Sequence, residues 1–400
     1  MAGGTAKFAG LLGAALLLGA AHSSADTVVK VGIINTYSGT EAQAGDEIDK
    51  GLRLYVKEHE TDLPAGVKVE LIFRDDTGPN PDVAKRLATE LITRDHVQFL
   101  TGVVWTPNAA AIAPLTVEAK VPFIIMNAAG VTLTRMSPYI IRVSYTLPQL
   151  VTPLAQWSAQ QGWKRGYTAV PDFAPGHESE TAFAKAFTEA GGTMVGSVSY
   201  PVINPDFTPF FARARDVKPD VLYIFNIAGK QSTQIIKVLT DLGVRQAGIN
   251  PVSGVDLTTD EELPNMGDAA LGINSASNYS FTATRPANTQ FMAAWRRAYG
   301  DAALAPNFFA VGGWDGMAAI FDVVKATKGK FTADEAMKIL STWKNPDSPR
   351  GPIMINPETR DIIENIYIRR VEKVDGKLAN VEFQTFPMVK DPWKQQNPPK

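Results

Sequence analysis

The sequence predicts an α/β protein of two lobes, each a parallel sheet flanked by helices. Three observations carry this. Apolar periodicity switches repeatedly between alternation and helical spacing, the signature of strands alternating with helices. The strand–helix units are too many for one sheet. A chain of 400 residues also exceeds one ordinary core, so two units are expected.

Composition narrows the class. Hydrophobic residues make up 45% and charged residues 20%, a globular balance that argues against disorder, collagen-like repeats and polytopic membrane architecture. The 39 basic and 41 acidic residues give a formal charge of -2. That leaves no basic surplus for a phosphate backbone, so no nucleic-acid partner is expected. Cysteine is absent, which removes disulfides, thiolate metal sites and cysteine nucleophiles.

Residues 1–25 read as a secretory signal outside the fold. Lys7 is the only charge before Asp26, Phe8 to Ala21 is apolar, and Ser23-Ser24-Ala25 supplies small residues for cleavage. The run is short for a membrane span, and no cysteine follows it to take a lipid. The mature chain is expected to start near Asp26, in the periplasm or outside the cell.

Val29 to Asn35 then reads as a strand, closed by Thr36-Tyr37-Ser38-Gly39. Ile48, Leu52, Tyr55 and Val56 mark a helix face. Val67 to Phe73 is a strand closed by Arg74-Asp75-Asp76, and Val83, Leu87 and Leu91 mark the next helix. Phe99 to Val104 precedes a helix opening at Thr106-Pro107, with Thr suited to the N-cap and Pro to the first turn. Phe123 to Met126 and Ile140 to Ser144 are short strands.

The theme repeats. Tyr167 to Val170 precedes a helix with Phe183 and Phe187, stopped by Gly191-Gly192. Met194 to Tyr200 leads to a helix near Phe210 and Phe211. Val221 to Phe225 leads to a helix with Ile235, Ile236, Leu239 and Leu242, ended by Gly243. Ala270 to Ala276 reads as a strand returning to the first lobe. Helices follow around Phe291 to Tyr299, Phe309 to Thr327 and Ala333 to Trp343. From Gly351 the character is β: Ile353 to Ile355, then Ile366 to Val371 and Val381 to Phe386, joined through a hairpin at Asp375-Gly376. The expected units are 26–146 plus 275–350 as lobe 1, 147–274 plus 351–389 as lobe 2, and a loosely held polar tail at 390–400.

Catalytic signatures are missing. There is no G-x-G-x-x-G, P-loop, G-x-S-x-G or H-E-x-x-H pattern. Of the four histidines, His22 lies in the signal, and His59 and His96 sit beside charged helix ends. A secreted α/β hydrolase would need a nucleophile with a positioned base, and histidine is scarce. Asp75-Asp76 reads as a turn or helix cap rather than a catalytic pair. No enzymatic activity, metal or other cofactor is expected.

The order of several short motifs resembles the periplasmic solute-binding proteins of branched-chain amino acid type ABC importers. The likeness runs through Lys30-Val31-Gly32-Ile33, Tyr37-Ser38-Gly39, Arg74-Asp75-Asp76, Gly102 to Pro114, Val121-Pro122-Phe123, Arg142 with Ser144, Pro219-Asp220-Val221 and Gly313-Trp314-Asp315-Gly316. It covers essentially the whole chain after the signal. It implies two Rossmann-like lobes joined by hinge crossovers, a ligand closed into the cleft between them, a membrane permease as partner, and a monomer.

Ligands of open α/β sheets sit outside the carboxyl ends of strands. The candidates are therefore Tyr37, Ser38, Trp105, Thr106, Asn127, Ala128, Ala129, Gly130, Tyr145, Phe173, His177, Asn226, Ile227, Ser253 and Tyr279. Thr106 ranks first, because a hydroxyl and free amides at a helix N-terminus suit a carboxylate. Residue chemistry alone fits a simple helix cap equally well; the resemblance implies that Thr106 and the backbone of Ala128 to Gly130 hold a ligand carboxylate.

Amino-acid binders of the family fix the ammonium with two acids, and the best-matching positions here are Leu147 and Ser253. An ammonium buried without an acid is costly, which argues against an α-amino acid unless Asp256 takes the second position. Pro175 also stands where a tyrosine is usual. The remaining cleft candidates are apolar and aromatic: Trp105, Tyr145, Phe173, Phe225, Tyr279 and Phe308, with Phe225 and Phe308 reading better as core. His177 reads as a solvated loop residue or as a donor to a ring substituent. The pattern resembles the branch of the family that carries benzoate-like or phenylpropanoid acids. An amino-acid or amide binder of the same fold, or a ligand sensor, remains the alternative.

Overall fold

The computed structural model describes residues 1–5, 26–39, 41–300 and 304–398. Most of the expected signal segment lies outside the described residues.

The first lobe is laid down by β1 (Thr27–Asn35), α1 (Ala42–His59), β2 (Val67–Asp75), α2 (Pro81–Thr93), β3 (Phe99–Gly102), α3 (Thr106–Ala119), β4 (Phe123–Ile125) and β5 (Ile140–Arg142). Its sheet is wholly parallel, in the order β2-β1-β3-β4-β5. The central strands are buried on both faces, as helical crossovers require.

The chain crosses over after β5. The second lobe follows with α4 (Leu147–Gln160), β6 (Arg165–Pro171), α5 (Ala174–Glu189), β7 (Thr193–Tyr200), α6 (Thr208–Val217), β8 (Val221–Ile224), α7 (Lys230–Asp241), β9 (Asn250–Ser253), α8 (Leu263–Met266) and β10 (Asn274–Ser277). A second crossover returns it to the first lobe for α9 (Pro286–Tyr299), α10 (Phe308–Thr327) and α11 (Ala333–Leu340); the Tyr299 hydroxyl donates to the Lys50 carbonyl of α1 at 2.7 Å. A third leads to β11 (Lys344–Asn345), β12 (Ile353–Ile355), β13 (Ile362–Val374), β14 (Lys377–Val389) and α12 (Pro392–Gln396).

Three expectations need correction. The second sheet is mixed: β7-β6-β8-β9-β10 is parallel, but β13 joins β10 antiparallel and brings β12, β11 and β14 with it. The segment near 270–276 does not return to the first lobe. Its strand, β10, completes the parallel run of the second sheet and pairs Ala276 with Ile368. The C-terminal tail is also anchored. Lys394 is buried against Asp361 and Thr134, and the Arg135 guanidinium lies 4.8 Å from the Trp393 ring.

The helix pair α1–α10 explains one motif. Gly313-Trp314-Asp315-Gly316 lies on α10, where a Cβ at Gly313 would stand 2.2 Å from the Ile48 carbonyl oxygen. Opposite it, a Cβ at Gly51 would stand 1.9 Å from the Ala310 oxygen. Backbone meets backbone there, so neither side can yield. Gly51→Ala is expected to lower unfolding free energy by about 1–3 kcal/mol or more, read as a shifted urea midpoint.

Candidate functional site

A narrow slot lies between the lobes, at the carboxyl ends of the parallel strands. The first lobe contributes Glu41, Val104, Trp105, Thr106, Asn127, Ala129 and Phe309; the crossover contributes Tyr145 and Leu147. The second lobe contributes Phe173, Pro175, Phe225 to Ala228, and Asp256. Its free volume is ≈ 60 Å³, room for a few waters; a benzene-sized ring, which takes roughly 150 Å³, enters only as the two lobes part.

Local chemistry fixes the first-lobe wall. The Trp105 indole N–H donates to the Thr36 hydroxyl at 3.1 Å, and Thr36 donates to Asp76 at 2.7 Å. Asp76 also accepts from the Asn108 side chain at 2.7 Å. The Asp75-Asp76 pair is thus structural, with Asp75 accepting from the Tyr37 N–H and the Ser38 hydroxyl. Thr106 is not the cap of α3 but its first helical residue, after Trp105. Its hydroxyl oxygen accepts from the Gly130 N–H at 3.1 Å, leaving the hydroxyl proton to be donated elsewhere. The loop carrying Gly130 is pinned from below. Buried Arg142 donates to the carbonyls of Ala128 and Gly130, at 3.0 and 2.8 Å, and pairs with Asp361 at 2.7 Å.

The second-lobe wall is aromatic, then polar. The Phe173 and Phe225 rings lie nearly parallel, with centroids 6.1 Å apart. Pro175 stands in the first turn of α5, so α5 as well as α3 directs an N-terminus at the slot. Asn226 is fully buried; its amide donates to the Ile227 carbonyl and the Ser232 hydroxyl, each at 2.9 Å. Its Oδ1 has no partner, nor does Oδ1 of Asn127, whose amide donates to the Val104 carbonyl.

Carboxyl groups gather at one end. Burial pushes Asp256 up to about 7, Glu261 adding to the rise and Arg369 opposing it. Desolvation of the carboxyl in the cleft, then the nearby Asp256 and Glu261, hold Glu41 well above the ordinary carboxylate range, with the Ala228 backbone opposing the rise. Burial also raises Glu261 to about 7. Burial and the same Asp256 and Glu41 charges raise the Tyr145 hydroxyl.

Eight expected residues meet at the slot: Trp105, Thr106, Asn127, Ala129, Tyr145, Phe173, Asn226 and Ile227. Ala128 and Gly130 stand directly behind it through Arg142 and Thr106. Five do not line it. Tyr37 and Ser38 are bound to Asp75 at the far edge of β1. His177 pairs with Asp172 at 2.9 Å, half exposed on α5. Ser253 is buried inside the sheet end, its hydroxyl without a partner. Tyr279 is core, its hydroxyl donating to Asn288 at 2.8 Å.

The slot also holds residues not expected there. Asp256, left open in the sequence as the alternative to Ser253, lines the slot, and Glu41, which the sequence did not single out, joins it. Phe225 lines the slot rather than the core alone, and Phe309 does so instead of Phe308, which packs against Tyr145. Glu41 carries no sequence signal, because its role depends on the opposite lobe.

Residues 28–377 match a family described as periplasmic binding protein. A curated relative, Leu/Ile/Val-binding protein homolog 6 of Brucella melitensis, is 36% identical over 93% of this chain and 95% of its own length. A solute-binding protein of an ABC transporter from Rhodopseudomonas palustris BisB5, solved with 3,4-dihydroxybenzoic acid, is 42% identical with a TM-score of 0.87, covering 92% of this chain and 100% of that one. Another from R. palustris HaA2, solved with p-hydroxybenzoic acid, is 40% identical with a TM-score of 0.88 and covers 92% and 100%. Fold, cleft and sequence therefore agree that the chain belongs to the periplasmic binding protein family, as a two-lobed, solute-binding α/β protein.

Proposed function

We propose that the protein captures a hydroxylated aromatic carboxylate in the periplasm and delivers it to the permease of an ABC importer. The observation that carries this is the slot's polarity. A helix N-terminus with the Thr106 hydroxyl forms one end, aromatic rings form the walls, and unpartnered or acidic oxygens form the rest. The ligand carboxylate sits at Thr106 and the first turn of α3, where the backbone dipoles favour an anion. The ring lies among Trp105, Tyr145, Phe173 and Phe225, where flat apolar faces pack. A ring hydroxyl donates to Asn226 Oδ1 or Asp256, so these buried acceptors gain a donor on binding. The likeness to proteins solved with hydroxybenzoates supports the same ligand class.

No step of this involves covalent chemistry. Lobe closure buries the ligand, and the closed form is what a permease reads. One observation favours a second reading. Asp256 and Glu41 could pair with the ammonium of an amino acid, in line with the names of the curated relatives. Their raised pKa values, Asp256 to about 7, mean that an ammonium would first have to draw these carboxyls into ionisation, a cost a hydroxyl donor does not meet.

Titration calorimetry with 4-hydroxybenzoate, benzoate and leucine decides between these. 4-Hydroxybenzoate is expected to bind more tightly than benzoate, and leucine not at all. Thr106→Val is expected to weaken 4-hydroxybenzoate by about ten- to a hundredfold, the range for a hydrogen bond to a charged group. Tight leucine binding with no response to the aromatic acids would replace this reading with the second.

A further inference from the structure

A second interlobe cavity of ≈ 620 Å³ adjoins the slot. Four residues line both spaces: Glu41, Ile227, Ala228 and Phe309. Three of them are fixed. Phe309 is buried in the first turn of α10, Ile227 is 5% exposed, and Ala228 carries only a methyl group, with no torsion that could move it aside. Glu41 differs. It is partly exposed, long and rotatable, and it precedes α1 rather than lying within it.

Its backbone stands at φ 67, the left-handed region, where a non-glycine residue is held at some cost. Its side chain faces Ala228 of the other lobe, the two residues lining both spaces together. Among the described residues, Glu41 is thus the movable part of the boundary between a slot of ≈ 60 Å³ and a chamber of ≈ 620 Å³.

Building on the proposed ligand class, we infer that Glu41 sets ligand length: its side chain is the partition that admits a single-ring acid and excludes one with a longer chain. Removing the side chain would merge the slot with the chamber. Glycine at this position also suits a positive φ, so the change that opens the wall does not strain the backbone. Glutamine keeps the length and the carbonyl acceptor, which separates volume from charge.

The test compares 4-hydroxybenzoate with 4-hydroxycinnamate, which inserts two carbons between ring and carboxylate, by titration calorimetry on wild type, Glu41→Gly and Glu41→Gln. Wild type and Glu41→Gln are expected to favour 4-hydroxybenzoate. Glu41→Gly is expected to shift the affinity ratio toward 4-hydroxycinnamate by at least about tenfold, with an unlowered melting temperature. If 4-hydroxybenzoate binds and the ratio is unchanged in Glu41→Gly, the partition is overturned while the aromatic-acid reading stands. A wild type that binds both acids equally overturns it too. If neither acid binds any of the three proteins, the aromatic-acid reading falls and this inference with it.

Discussion

Arg350→Met is expected to lower the free energy of unfolding by about 3–5 kcal/mol, the range for a buried ion pair deprived of one partner. Arg350 is 1% exposed and lies where the crossovers meet. It pairs with Asp315 of α10 at 2.8 Å and with Glu364 of β13 at 3.0 Å. Its guanidinium also donates to the carbonyls of Val143 and Ser144, at the start of the first crossover. One side chain therefore joins the first lobe, the second lobe and the hinge. Burial raises Asp315, and it pushes Glu364 up to about 8, against the pull of Arg350 in each case. Without the guanidinium both carboxyls would stay buried with less compensation.

A triple variant, Arg350→Met with Asp315→Leu and Glu364→Met, is expected to recover much of the loss, since apolar replacements of whole buried ion networks are often tolerated. Denaturant unfolding of both variants checks this. A loss under about 1 kcal/mol for Arg350→Met would show that the hinge does not rest on this residue.

The second large effect is a fall in stability as pH rises. Asp256, Glu261 and Glu47 are each raised to about 7, by burial above all. An unfolded carboxyl titrates near 4. Between about pH 4 and 7 the folded state thus holds protons that the unfolded state has released. Stability then falls with pH across that window and stays lower above it. A tenfold change in proton affinity between the folded and unfolded chain is worth about 1.4 kcal/mol, so the cluster as a whole costs on the order of several kcal/mol at pH 8.

The melting temperature is accordingly expected to be higher at pH 5 than at pH 8, and Glu261→Gln to flatten the slope. A melting temperature that rises from pH 5 to 8 would contradict the assignment. The cluster is also assembled across the cleft, with Glu41 on one lobe and Asp256 and Glu261 on the other. Lobe closure should share the same pH preference as folding.

The sequence exposes the parts of this molecule that are local. Strands such as Val221–Ile224 and helices such as Phe308–Thr327 are visible because each is a single run with its own periodicity. The carboxylate end is legible for the same reason: strand, Trp105, Thr106 and Pro107 are consecutive. Asn250–Ser253 leaves a weak signal, being four residues with Pro251 inside, where proline is out of place in an interior strand. The acidic end is not legible, because Glu41 and Asp256 become neighbours only when two lobes meet. The place of β10 escapes a sequence reading on similar grounds. Four residues, Asn274–Ser277, do not say which sheet edge they will join.

That edge sets an order of assembly. The first sheet draws only on residues between 27 and 142, so its pairings are complete early in a chain that emerges N-terminus first. The second sheet stays open at β10 until β13, beginning at Ile362, comes to cover it. Pairing across so long a stretch is slow, and an uncovered strand edge invites other chains. Loss of the segment from Ile362 onward would therefore leave one sheet whole and the other with an adhesive edge, and aggregation rather than simple loss of affinity would be the visible defect.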